Sequence, residues 1–119
     1  MEKIKAYTDI VQSKKLAEFL PIESADMYWW SSGKRYYIES IDDDDYEEDK
    51  DIRAWSLAAL LNYLKSKNKF PEIKELSDGR FALTTYIWDG EDCIQNSIGV
   101  TIVDACYDII IKLHEQNLL

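Results

Sequence analysis

One histidine, two cysteines and a run of carboxylates are the residues of this chain whose types could do chemistry. His114 lies in His114-Glu115-Gln116-Asn117-Leu118, which lacks the second histidine of the His-Glu-x-x-His zinc pattern. Cys106 stands eight residues earlier on the same expected helix. At 1.5 Å per residue that is about 12 Å along the axis, too far for a nucleophile and its base. Cys93 and His114 could meet only through the tertiary fold. Two cysteines and one histidine without paired spacing do not make a zinc site. Both cysteines read as small packing residues. Gly33, Gly79, Gly90 and Gly99 are scattered at turns and strand ends, so no loop cradles a phosphate, and no Gly-x-Ser-x-Gly elbow occurs. Asp89, Glu91 and Asp92 fall on a hairpin tip, where nothing would move their pKa toward catalysis. These residues lead to the expectation of no catalytic machinery, no metal and no cofactor.

The densest charge is Asp42-Asp43-Asp44-Asp45-Tyr46-Glu47-Glu48-Asp49, acidic at every position but Tyr46. An EF-hand loop needs a central glycine, and Asp42 to Asp51 has none. Spaced carboxylates can imitate phosphates, which makes an anti-defence or DNA-mimic inhibitor the alternative function. Mimicry needs charge displayed over a surface, however, and this is one run. The plain expectation is a self-repelling, solvated loop over 42–51, internal to one domain.

These residues must be positioned by ordinary elements. Asp9 with Gln12 resembles a capping box, and a helix is expected from Asp9 to Leu20, stopped by Pro21. Asp26 to Trp30 and Arg35 to Ile41 read as a hairpin turning at Ser31-Ser32-Gly33-Lys34. That register sets Trp30 opposite Arg35 and Met27 opposite Ile38. One face then carries Met27, Trp29, Tyr36 and Ile38, and the other carries Tyr28, Trp30, Arg35, Tyr37 and Glu39. Ser56 caps a second helix with Leu57, Leu60, Leu61 and Leu64 as its stripe. Residues 71–76 are expected to form a short helical turn. A second hairpin spans Arg80 to Trp88 and Cys93 to Val100 around Asp89-Gly90-Glu91-Asp92. Its expected register opposes Ile87 with Ile94, Leu83 with Ile98 and Phe81 with Val100, all on one face. Thr101 and Asp104 start a third helix, from Ile102 to Gln116, with Ile102, Cys106, Ile109, Ile110 and Leu113 as its stripe. Val103, Tyr107 and Ile111 add a second stripe, so more than one side should be contacted. The order αββαββα, with local hairpins, gives an α+β fold: an antiparallel sheet of two hairpins with three helices, a two-layer sandwich.

The chain has 119 residues, 46% of them hydrophobic and 13% aromatic, which suits a single domain over 1–119 with its own core. No apolar run approaches a membrane span and no signal-peptide pattern follows Met1, so a cytoplasmic location is the default. A net charge of −9 argues against direct binding to nucleic acid or anionic membranes. Composition does not fix the oligomeric state.

If the aliphatic faces pack on the helices, the other sheet face presents Tyr28, Trp30, Tyr37, Tyr86 and Trp88. Five large aromatics on a helix-free face make a candidate protein-binding patch, because Tyr and Trp are enriched at interfaces. The competing expectation is that helix one or the N-terminal segment covers this face. The acidic candidate surface is Asp42, Asp43, Asp44, Asp45, Glu47, Glu48 and Asp49.

Three stretches carry a resemblance: Ala6-Tyr7-Thr8-Asp9-Ile10 through Lys14-Lys15-Leu16-Ala17-Glu18; Ala54-Trp55-Ser56-Leu57-Ala58-Ala59-Leu60-Leu61; and Asp104-Ala105-Cys106-Tyr107 through Ile111-Lys112-Leu113-His114-Glu115. Together the chain resembles a group of small uncharacterised proteins encoded by phages and mobile elements of gut bacteria. The resemblance implies a small accessory protein inside a bacterial cell, and it carries over no functional residue. The expectation is a non-enzymatic, protein-binding accessory module, with a small enzyme of unrecognised class as a further alternative.

Overall fold

The structure, a computed structural model, describes residues 5–41, 51–86 and 93–119. Helix α1 (Ile10–Ala17) begins at the expected cap: Asp9 accepts from the Gln12 backbone N–H, and Gln12 returns the bond to the Asp9 N–H. A 3-10 turn (Ile22–Ser24) leads into β1 (Met27–Ser32), β2 (Arg35–Ser40) and β3 (Ile52–Ala54). Helix α2 (Leu57–Ser66) follows its Ser56 cap. Strands β4 (Phe70–Glu75), β5 (Phe81–Tyr86) and β6 (Cys93–Gly99) precede α3 (Ile102–Glu115), capped by Thr101. Both α2 and α3 end on an asparagine in the left-handed region, Asn68 at φ 59° and Asn117 at φ 58°. The paired bonds Lys69 N–H to Leu64 O and Asn68 N–H to Lys65 O close α2, and Leu118 to Leu113 with Asn117 to His114 close α3. These are Schellman endings, which satisfy carbonyls that a helix otherwise leaves open.

The fold is α+β, with three helices and two hairpins in roughly the expected order, the first helix ending at Ala17 and not at Leu20. The strands, however, form two antiparallel sheets of three, ordered β2-β1-β3 and β4-β5-β6. Two strands were not legible. β3 adds to β1 with Met27 opposite Ala54, and β4 adds to β5 where a helical turn was expected. Pro71 does not break β4, because an edge strand needs no ladder bond from every residue.

The first hairpin turns on two residues, Gly33 and Lys34, with Gly33 at φ 65°. A two-residue loop with glycine first suits the twist of the flanking strands. Trp30 therefore opposes Tyr37, and Met27 opposes Ser40. The register moves by two from the expected one, so every side chain keeps its expected face.

The second hairpin is a different correction. Leu83 opposes Ser97 and Ala82 opposes Ile98, a slip of one residue. Leu83 is fully buried while Ile98 is 52% exposed on the opposite face. Ile87, the Ile94 side chain and Trp88 lie outside the described residues. The slip follows from how β6 meets α3. Its inward positions are Ser97 and Gly99, and Ser97 Oγ donates to the Ala105 carbonyl at 2.6 Å. A side chain on Gly99 would sit 2.9 Å from Ala105 Cα. Small residues let the helix close on the strand, and Ile98 has no room there. A bulge between Thr85 and Tyr86 absorbs the offset toward the hairpin end.

One core cluster joins the elements. Leu16 of α1, Trp55, Leu60 and Leu64 of α2, Leu83 of β5, and Val103, Cys106, Ile109, Ile110 and Leu113 of α3 are all fully buried in it. Burying each aliphatic side chain contributes on the order of 1.5–3 kcal/mol. Helix α3 contacts α2, β5 and β6, and its Asp104 side chain reaches back to the N-terminal segment and α1, in keeping with its double apolar stripe.

Candidate binding surface on the first hairpin

At the body end of β1 both faces are covered, while Glu39 and Ser40 of β2 are exposed. Trp29 donates its indole N–H to the Thr8 carbonyl at 3.1 Å, and its ring meets Tyr7 edge-on at 5.5 Å. On the other face Tyr28 is 2% exposed, and its cross-strand neighbour Arg53 donates to the Ala17 carbonyl of α1. The strap holding this end is the N-terminal segment. Thr8 N–H donates to the Trp55 carbonyl, Leu57 N–H to the Ala6 carbonyl, and the buried Thr8 and Ser13 hydroxyls bond each other. The N-terminal segment thus covers the Trp29 face, and on the Tyr28 face the neighbouring Arg53 reaches the end of α1.

Beyond Trp30 the hairpin leaves the body. Every residue from Ser31 to Tyr37 is exposed, whichever face it belongs to. Along β1 the line between covered and open runs across the strand, not between its two faces. On this arm Trp30 and Tyr37, direct cross-strand partners, stack with centroids 4.8 Å apart and planes 27° apart. Such a pair contributes about 0.5–1.5 kcal/mol beyond its buried area and holds both rings in one orientation. Tyr36 lies exposed on the opposite face, and the charges between Ser31 and Tyr37 are both cationic, Lys34 and Arg35.

The five expected aromatics are therefore not one patch. Trp30 and Tyr37 stand together on the arm, Tyr28 is buried, and Tyr86 belongs to the second sheet, opposite Phe70. Trp88 lies outside the described residues, as do Asp42, Asp43, Asp44, Asp45, Glu47, Glu48 and Asp49, and the hairpin-tip carboxylates Asp89, Glu91 and Asp92. Tyr36 was assigned inward by the sequence. The signal that would have placed it is the Gly33-Lys34 turn, which lengthens both strands past the body.

Of the other chemical groups, the Cys93 side chain lies outside the described residues. Cys106 is fully buried, and burial pushes its thiol up to about 12. His114 stacks flat on Phe19 with centroids 3.7 Å apart, outside the core. No group of three His, Cys, Asp or Glu side chains among the described residues could hold a metal ion. A groove of about 500 Å³ between the 3-10 turn and α2 includes Asp26, Asn62, Tyr63 and Lys67. The Asp26 carboxylate there is committed to α2, accepting from the Ser56 backbone N–H at 2.9 Å and from the Ser56 hydroxyl. No helix among the described residues is long and apolar enough to cross a membrane. No known family model, curated protein or solved structure matches the chain.

Proposed function

We propose that this chain is a non-enzymatic accessory protein that binds another protein through the end of the β1–β2 arm, in the bacterial, phage or mobile-element setting its resemblance implies. The observation that carries this reading is the stacked Trp30–Tyr37 pair on a hairpin segment exposed on both faces. Aromatic rings held in one orientation offer contact area at small entropic cost, which is why they dominate interface hot spots. Lys34 and Arg35 beside them favour a partner with carboxylates around an apolar recess.

Affinity purification from a bacterial host with the tagged full chain tests this. Trp30→Ala with Tyr37→Ala should reduce capture of a specific partner by about 30-fold or more, equivalent to at least ~2 kcal/mol. Far-UV circular dichroism of the double variant should match the wild type. Undiminished capture by a folded variant would remove the arm as the docking surface. The charge of −9 favours a second reading, an acidic inhibitor of a basic nucleic-acid-binding protein. Asp42 to Asp45 replaced by serine should then relieve that inhibition, while the arm variant should not.

A further inference from the structure

The four outer strands of the two sheets are unequally protected against pairing with another chain. β2 carries Arg35 and Glu39, β3 is three residues long, and β4 carries Pro71, Glu72, Lys74 and Glu75. Charge, brevity and proline are the usual devices that blunt a sheet edge. β6 uses none of these three, although Ile94 is the extra residue of the bulge between the Thr85–Gln95 and Tyr86–Cys93 pairs. It runs for seven residues, Cys93-Ile94-Gln95-Asn96-Ser97-Ile98-Gly99, without a charged residue or a proline.

Its backbone polarity can be read from Asn96. The Asn96 N–H donates to Gln95 Oε1 at 3.0 Å, and the Asn96 carbonyl accepts from Lys112 Nζ at 3.1 Å. Both groups therefore face away from β5, so Asn96 and Thr84 form a non-hydrogen-bonded pair. Alternation makes Ile98 and Ala82 another such pair, and turns the Ile98 N–H and C=O to the open side of the strand. The Ile98 side chain is 52% exposed and Val100 just beyond it 66%.

We propose that β6 is the edge through which two copies of this chain join, antiparallel, into one continuous sheet of six strands. Outward backbone donors and acceptors of an outer strand take an extended strand as their complement. The sequence of β6 points to the same strand from a second copy. Read in either direction, Ile94-Gln95-Asn96-Ser97-Ile98 gives isoleucine, polar, asparagine, polar, isoleucine. Meeting itself antiparallel about Asn96, it sets asparagine on asparagine and polar Gln95 on polar Ser97, and opposes no charge to a like charge. With −9 on each copy, association is least opposed through a charge-free strand, and salt should strengthen it. The Gln95 and Lys112 side chains hold the Asn96 groups in the monomer and release them to the incoming backbone.

Analytical ultracentrifugation of the full chain over a wide concentration range, at low and high salt, tests the proposal. The weight-average mass should rise from one chain toward two, and more readily at high salt. Ile98→Lys should remain a monomer with an unchanged far-UV spectrum. Asn96→Lys, at an exposed outward position, gives the same readout should Ile98→Lys fold poorly. The Trp30→Ala, Tyr37→Ala variant should dimerise as the wild type does, which separates this edge from the arm. A wild type that stays monomeric throughout, a folded lysine variant that still dimerises, or an arm variant that loses the dimer would each overturn the proposal.

Discussion

Asp104 shows how one side chain ties the N-terminal strap to the last helix. It accepts from Lys5 Nζ at 2.7 Å, from the Gln12 amide at 2.9 Å and from the Thr101 hydroxyl at 2.8 Å. Burial alone would raise its carboxyl, but these three hydrogen bonds and the Lys5 charge outweigh it and hold the carboxyl below its ordinary value. A lowered folded value means that the stabilisation is present above the unfolded value, near 4, and is lost as pH falls through the folded one. Lys5 is the mirror case. Burial would lower it, but the hydrogen bonds to Asp104 and Asp9 prevail and raise it. Its contribution is therefore complete below the unfolded value near 10.4 and is lost as pH rises past the folded one. Asp104→Asn should cost about 1–2 kcal/mol at neutral pH. The gap between variant and wild type in urea melts should close as the pH falls below 4. A gap that stays constant down to strongly acid pH would mean that the carboxylate charge does not hold the strap. The Thr101–Asp104 capping pattern was legible in the sequence. The Lys5 and Gln12 partners were not, because nothing local reports a contact across some ninety residues.

At the scale of elements, the helices were legible because their caps and stripes are local. Asp9, Ser56 and Thr101 each start a helix where a short polar side chain can accept from the backbone two or three residues on. Strand register was legible only as far as it depends on face. The first hairpin tolerated an error of two residues, since period-two alternation restores every side chain to its side. The second did not, because maximising aliphatic pairs placed Leu83 against Ile98, whereas Ser97 and Gly99 are the residues small enough to lie under α3. β3 and β4 were missed because three residues give no period, and because proline and alternating charge in β4 mark an edge strand and a turn alike. Close approach of β6 to α3 leaves no room for a side chain at Gly99. Gly99→Ala should destabilise by about 1–3 kcal/mol or more through overpacking against the Asp104–Ala105 backbone. The urea midpoint should fall at constant slope. The same change at Gly79, whose added carbon would meet nothing within 4 Å, lacks that clash and bears only its positive φ of 88°. Equal losses at the two sites would show that close approach to α3 does not set the register.

For the molecule as a whole, two separate sheets raise the question of whether they fold as one unit. The buried cluster says how they are joined: Trp55 follows directly on β3, Leu83 is the buried aliphatic of β5, and both belong to the cluster that holds Ile109, Ile110 and Leu113 of α3. The helices join them as well: α1 leans on β3, α3 packs on β5, β6 and α2, and Asp104 of α3 accepts from Gln12 of α1. A core shared in this way makes loss of one sheet expose the inner surface of the other, which is the physical basis of an all-or-none transition in a small domain. Trp29, Trp30 and Trp55 all sit in or beside the first sheet, so indole fluorescence weights that side, whereas far-UV circular dichroism reports both sheets and all three helices. The two signals should give coincident urea transitions. Ile109→Ala should lower both by the same amount, about 2–5 kcal/mol, as a cavity in a shared core requires. Transitions that separate, with fluorescence surviving after the ellipticity has fallen, would mean that the first sheet and its arm stand without α3, and that the chain is two folding units.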